Sequence, residues 1–380
     1  MGVLPTVDGR RHTVESEGAF EPPQVEQHHA QQPEHATGER GSVPRTGRSQ
    51  GRERLSEKKT AHDEEPPFVG ILLHDAGWRA TLESIVPIPN RMGVVRDAVL
   101  VAAGLGTRMF PSSAFLPKET LPLVDVPLLT HLVLEAKAAG IERLHVVVSP
   151  TKSLDGMFDD RSDLHALRSH LDGKLFNAAE GMEVFTHIQH EPKGVGNAIE
   201  AALHAVDGPF LVMLGDNLLM DVHAPTTAYR PTQASKHLVE AHEANGGAVV
   251  ALMDVGPDEV QHYGIAAMTA GVVTGIVEKP EPQAAPSTLA LCGRYVFPVD
   301  AKAILASCTY EDHGDLQSIA LQQRLIDEGR LHGVVLSNTQ WYDSGSPLKW
   351  LEAQVDHALR REDLSTDFVA WLNHRLAGHR

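Results

Sequence analysis

The run Ala98-Val99-Leu100-Val101-Ala102-Ala103-Gly104-Leu105-Gly106-Thr107-Arg108-Met109 decides how this chain is to be read. Its first four residues are uniformly apolar, the pattern of a parallel strand buried on both faces. Two glycines follow, and the missing Cβ lets backbone amides come close to a ligand. Ala103, Gly104, Gly106 and Thr107 are therefore candidates for cradling a nucleotide. Arg108 adds a planar guanidinium fork, and Lys118, ten residues on, adds a point charge for phosphate oxygens. The expected ligand is a nucleoside triphosphate held by its phosphates. The run lacks the Gly-Lys-Ser/Thr ending of a P-loop, and Met109 stands where a dinucleotide fold carries its third glycine. A dehydrogenase is disfavoured on that ground. Alone, the turn is equally consistent with a plain strand-to-helix connection.

The continuation narrows the choice. Leu116-Pro117-Lys118-Glu119-Thr120-Leu121-Pro122-Leu123-Val124-Asp125-Val126-Pro127-Leu128 completes a long signature. With the opening run it resembles the nucleoside-diphosphate-sugar pyrophosphorylases, most closely their bacterial UTP–glucose-1-phosphate uridylyltransferase branch. The resemblance spans residues from about 94 to 355.

Composition sets outer bounds. The chain has 380 residues, 42% hydrophobic and 22% charged, as soluble globular proteins do. A formal charge of −17 argues against a general nucleic-acid binder. It also means that triphosphate must be met by local cations and a metal, because the mean field repels it. Cys292 and Cys308 are too few for a disulfide framework or a four-ligand zinc site, and read as small core residues of a reduced, cytoplasmic protein. No apolar run nears the roughly 18 residues of a membrane span, and no secretory leader is visible.

Residues 1–65 are rich in Glu, Gln, His, Arg, Pro and Gly and carry no periodic apolar face. Such a segment buries too little apolar surface to offset its ordering entropy and is expected to be disordered. Residues 66–91 are more apolar and suit a short strand or docked segment. Met92 reads as a natural start, and taking 91 residues from 380 leaves 289. Residues 1–91 are therefore expected to be a dispensable extension, 92–360 the catalytic domain, and 361–380 a C-terminal helix or tail. From Met92 onward, apolar runs at Leu144–Val148, Phe210–Leu214 and Val249–Met253 alternate with helical patterns at Leu128–Ala139 and from near Asn197. That alternation predicts an α/β fold, doubly wound, with a mixed but mainly parallel sheet of Rossmann-like nucleotidyltransferase type. Ligands of such sheets sit at the carboxyl ends of strands.

Four further motifs fall where such a site belongs. Gln189 opens the run Gln189–Ala198, in which Gly194 and Gly196 precede a helix that Asn197 is suited to cap. By itself Gln189 is better read as a surface-loop residue; the resemblance implies that it hydrogen-bonds a pyrimidine, with Gly194 beside the nucleotide. Leu214-Gly215-Asp216-Asn217 follows an apolar strand, and Asp216 is by resemblance a metal ligand. The uridylyltransferase pattern there is usually Leu-Pro-Asp, whereas thymidylyltransferases often carry Leu-Gly-Asp-Asn. Gly264, Glu278, Lys279 and Gly293 form the sugar-phosphate side by resemblance: Glu278 for hexose hydroxyls, Lys279 for the phosphate, Gly293 against the ring. Thr288 replaces the asparagine of the family run around Gly293. Asp343, in Trp341-Tyr342-Asp343-Ser344-Gly345, is by resemblance the second metal carboxylate, so Mg²⁺ is the implied cofactor.

The reading is a nucleotidyltransferase. A sugar 1-phosphate, foremost glucose 1-phosphate, attacks the α-phosphorus of a triphosphate, foremost UTP, and pyrophosphate leaves. Arg108, Lys118 and Lys279 are the expected catalytic cations. A homo-oligomer is expected, with no nucleic-acid or membrane partner. Two alternatives stand beside it: the same chemistry with dTTP or another sugar or cyclitol phosphate, and a non-catalytic sugar-nucleotide binder.

Overall fold

The computed structural model describes residues 93–378. The expectations placed on residues 1–92, the extension and its disorder, fall outside the described residues. In chain order the elements begin β1 (Asp97–Val101), β2 (Pro122–Leu123), β3 (Val126–Pro127), α1 (Leu128–Ala138), β4 (Arg143–Val148), α2 (Ser162–His165), β5 (Glu183–Ile188) and α3 (Gly194–Ala202). There follow β6 (Phe210–Leu214), β7 (Asn217–Met220), α4 (Ala234–Asn245), β8 (Ala248–Asp254), β9 (Gly264–Thr269), β10 (Val272–Glu278) and β11 (Leu289–Phe297). The last are α5 (Ala301–Ser307), α6 (Tyr310–His313), α7 (Gln317–Asp327), β12 (Leu331–Val335), β13 (Gln340–Asp343), α8 (Pro347–Arg360) and α9 (Ser365–Ala377).

Nine strands form one mixed sheet in the order β5-β4-β1-β6-β11-β8-β12-β10-β9. The first four pair in parallel. Their sequences are continuous apolar runs because both faces are covered: Ala98, Val99 and Leu100 are all fully buried. Successive residues serve opposite cores. Ala98 and Leu100 pack with α1 and α4, whereas Val99 packs with α3, α5 and α7.

Parallel pairing does not dominate the rest of the sheet. It returns only between β8 and β12, and β11 joins both β6 and β8 antiparallel. β9 pairs antiparallel with β10 and also, through Ile265 and Ala290, with β11. The strands β11, β8, β12, β10 and β9 thus close on themselves. The cause is local. Ala270 and Gly271, both at positive φ, make a two-residue turn between β9 and β10. So short a link cannot hold the crossover that parallel neighbours need.

The elements that frame the site lie at one sheet end. The amide of Gly215, after β6, donates to Val101 O at 2.9 Å, and that of Ala102 donates to Val147 O at 2.8 Å. Beyond β6, the ribbon of β7 and β13 sets Asn217 opposite Asp343. Beneath it, Arg294 on β11 is fully buried against Glu135 of α1. Its Nε and Nη2 donate to the two carboxylate oxygens at 2.9 and 2.8 Å, and Nη2 also reaches Asn217 O at 2.9 Å.

Candidate active site

The turn after β1 does not run into an α-helix. It bends into a 3-10 turn at Thr107–Met109 with Met109 buried. Gly106 sits at φ 66°, a conformation that favours glycine, and a Cβ there would press on the Lys118 side chain at 3.2 Å. Ser113 Oγ donates to Gly106 O at 2.6 Å.

Lys118 is buried, and its Nζ donates to Asp216 Oδ2 at 2.6 Å. The expected triphosphate lysine and the expected metal carboxylate are thus in direct contact. Burial works to raise the Asp216 carboxyl, but the Lys118 ammonium beside it prevails and holds it below the usual carboxylate range.

A lysine not singled out from the sequence shapes the turn from behind. Lys152 Nζ donates to Ala102 O at 2.6 Å and Gly104 O at 2.7 Å, and it pairs with the buried Glu119 at 3.1 Å. Burial lowers the Lys152 ammonium and raises the Glu119 carboxyl, so each tempers the other's desolvation. The only sequence signal is a lysine four residues past the end of β4.

Asp343 lies across the ribbon from Asn217, and Ser344 N donates to Asp216 O at 3.0 Å. Both expected metal carboxylates therefore stand on adjacent rungs. Arg108 is exposed and reaches the same turn: a Cβ on Gly345 would meet Arg108 Nη2 at 2.6 Å and Asp343 Oδ1 at 2.7 Å. Asp216 already binds a cationic group, and the pair offers only hard oxygen donors. No cluster of three or more His, Cys, Asp or Glu suited to a metal occurs among the described residues. Two carboxylates without a full cage suit a hard divalent cation that takes its remaining ligands from elsewhere.

A cavity of about 510 Å³ opens beside this centre. Ala103, Gly104, Lys118, Gln189, Gly194 and Asp216 all line it; Gly106, Thr107 and Arg108 do not. Gln189 is buried, and its Nε2 donates to Gly194 O and Asn197 Oδ1, both at 3.0 Å. Its donor end is spent inside the protein, which leaves Oε1 as an acceptor for an imide N–H. Asn197 does not cap the helix. Helix α3 begins at Gly194, and the Asn197 side chain within it holds Gln189 instead.

Three of the four residues expected on the sugar side, Gly264, Glu278 and Lys279, line a second cavity of about 330 Å³. Glu278 lies over its register partner Gly264, where a Cβ would meet Glu278 Oε2 at 2.9 Å. Lys279 has φ 45°, a left-handed conformation unfavourable for a side chain with a Cβ. Its N–H donates to Tyr263 O at 2.9 Å, and its ammonium lies 3.4 Å from Glu278. Such strain persists only where surrounding contacts enforce it. Gly293 does not line this cavity; it packs on Asn217 at φ 76°. Val195, Leu214 and Asp315 line both cavities, which therefore share a wall. Asp315 belongs to the run Gly314-Asp315-Leu316-Gln317-Ser318, which matches the family pattern only loosely and assigns the residue no role. Cys292 and Cys308 are free and buried, and burial pushes the Cys292 thiol up to about 12, far from a nucleophile's range.

Comparison with known proteins follows from this geometry. Residues 97–359 match the family model described as nucleotidyl transferase. UTP–glucose-1-phosphate uridylyltransferase 2 of Streptococcus pyogenes serotype M3 is 32% identical over 296 residues, covering 74% of this chain and 96% of that protein. UDP-glucose pyrophosphorylase from Acinetobacter baumanii superposes with a TM-score of 0.61 at 29% identity, over 74% of this chain and 99% of the other. A UDP-glucose pyrophosphorylase solved in complex with UDP-glucose gives 0.59 at 29% identity, over 69% and 98%.

Proposed function

We propose that this chain, which belongs to the nucleotidyl transferase family, is an enzyme that makes UDP-glucose and pyrophosphate from UTP and glucose 1-phosphate. The observation that carries the reading is the shared wall: a cavity with Gln189, Lys118 and Asp216 adjoins one with Glu278 and Lys279. Two substrates bound in them would meet at the ends of β6 and β10.

In this reading the parallel quartet β5-β4-β1-β6, with helices on both faces, is the Rossmann-like nucleotide half. The amides of Ala103, Gly104, Gly106 and Thr107 face the triphosphate, and Gly194 and Gln189 bound the base. Gln189 Oε1 accepts from N3–H of the pyrimidine, a group that uracil and thymine share. Lys118 and Arg108 hold the β- and γ-phosphates. Lys279 holds the phosphate of the sugar substrate, Glu278 accepts from its hydroxyls, and Gly264 leaves room for the ring. A phosphate oxygen of glucose 1-phosphate forms the new bond to the α-phosphorus as the bond to the β-phosphate bridging oxygen breaks. The electron pair leaves with pyrophosphate, so no covalent enzyme intermediate is needed. Catalysis is positioning plus charge stabilisation. Asp216 and Asp343 would hold Mg²⁺, whose chemistry when bound is to neutralise charge on the phosphate oxygens.

Further parts of the reading concern the whole chain. The catalytic domain runs over 92–360, residues 1–91 are dispensable, and 361–380 form an appended helix and tail. The exposed Val369, Trp371 and Leu376 of α9 support homo-oligomerisation, and the free cysteines support a cytoplasmic setting. No described helix is long and apolar enough to cross a membrane. The test is phosphorus NMR of UTP, glucose 1-phosphate and Mg²⁺ with the protein. A nucleotide-sugar diphosphate and free pyrophosphate should grow together; UTP breakdown without the diphosphate sugar would refute the assignment.

A further inference from the structure

We propose that Trp341 and Asn217 are positioning residues that decide which oxygen of Asp216 is left for a cation; the inference rests on the nucleotidyl-transfer reading of this site. Neither side chain has a role in that reading.

The geometry is a chain of three hydrogen bonds. Trp341 Nε1 donates to Asn217 Oδ1 at 2.6 Å, Asn217 Nδ2 donates to Asp216 Oδ1 at 2.9 Å, and Lys118 Nζ donates to Asp216 Oδ2 at 2.6 Å. An indole N–H can only donate. It therefore fixes the acceptor end of the Asn217 amide on Trp341 and turns the donor end onto Asp216. Without the indole N–H, the amide gains a second orientation in which Oδ1 faces the carboxylate. That orientation is repulsive and frees the carboxylate to rotate. In the fixed orientation one carboxylate oxygen is satisfied by a neutral donor, and the other, Oδ2, is the one that meets positive charge.

The anchor is itself well held. Trp341 and Asp343 lie two residues apart on β13 and so share a face. Asn217 is the register partner of Asp343. The Trp341 ring packs on Tyr263 with centroids 4.6 Å apart, and Tyr263 O receives the N–H of the left-handed Lys279. The Asn217 amide also abuts Gly293, where a Cβ would stand 3.1 Å from Nδ2. One indole thus connects the cation side of the centre, Lys118 and Asp216, to the sugar side, Lys279.

The test uses Trp341→Phe, which keeps an aromatic ring over Tyr263 but removes the donor, and Asn217→Ala. Mn²⁺ binding to the full chain with UTP present is followed by electron paramagnetic resonance, alongside turnover at rising metal concentration. Trp341→Phe should weaken Mn²⁺ binding about tenfold, the scale of losing one outer contact to a metal ligand, with most turnover recovered at saturating metal. Adding Trp341→Phe to Asn217→Ala should cost nothing further, because the indole acts through the amide. Unchanged Mn²⁺ affinity in Trp341→Phe, or losses that simply add in the double variant, would overturn the inference. Absence of nucleotidyl transfer by the wild-type chain would instead overturn the reading on which it rests.

Discussion

Replacing Arg294 by methionine removes the cation that holds the β7–β13 ribbon to the sheet. The side chains of Arg294 and Glu135 are both 0% exposed. Arg294 gives Glu135 two charge-assisted hydrogen bonds, and the carboxylate's other partner is the Ser235 hydroxyl at 2.5 Å. Methionine fills much of the volume but strands the Glu135 carboxyl in the core without its cation, and it strips a donor from Asn217 O and Gly293 O. Removing one partner of a buried pair costs about 3–5 kcal/mol. At roughly 2–4 °C per kcal/mol, that lowers the thermal midpoint by about 10 °C. Replacing both partners, Arg294→Met with Glu135→Leu, removes the stranded charge and should recover at least about 2 kcal/mol of the loss. Urea unfolding followed by circular dichroism measures all three proteins. A single variant within about 1 kcal/mol of wild type, or a double variant no more stable than the single, would show that the stranded charge is not what the pair prevents.

Lys118→Ala and Asp216→Asn should each reduce pyrophosphate release by about 10²-fold or more while leaving the circular dichroism spectrum intact; near-normal rates would remove both from the chemistry. Burial lowers the imidazoles of His131 and His357 to about 3, against about 6.5 in an unfolded chain. Between pH 6.5 and 3 the unfolded chain therefore binds more protons, and stability falls as pH drops through that window. From pH 6.5 to 5 the two together should cost about 3 kcal/mol, and His357→Phe should flatten the dependence measured by urea unfolding. A chain beginning at Met92 should fold and turn over like the full chain; loss of folding on that truncation would contradict the boundary.

How far the site could be read ahead depended on how local its causes are. β1 and β6 were legible because burial on both faces forces continuous apolar runs, and α1 because Gly140 ends its helical pattern. Lys118 and Asp216 were singled out by motif, yet their contact across 98 residues was not stated by either motif. Lys152 escaped notice because its work is done on carbonyls 50 and 48 residues away. The Arg294–Glu135 pair spans 159 residues and the Trp341–Asn217 bond 124, so no local spacing announces them. Asn197 was misread for the opposite reason: its position near glycines suggested a cap, whereas its amide is committed to Gln189. The closed β9–β11 side was hidden because Ala270-Gly271 is a weaker turn signal than Asn-Gly, and ring closure is a property of five strands together.

The central claim is tested most directly by measuring pyrophosphate release with glucose 1-phosphate and Mg²⁺ against UTP, dTTP, GTP and ATP in turn. The account predicts release that requires glucose 1-phosphate, is fastest with UTP, and yields UDP-glucose in equal amount. No release with any triphosphate, or release indifferent to the sugar phosphate, would contradict it.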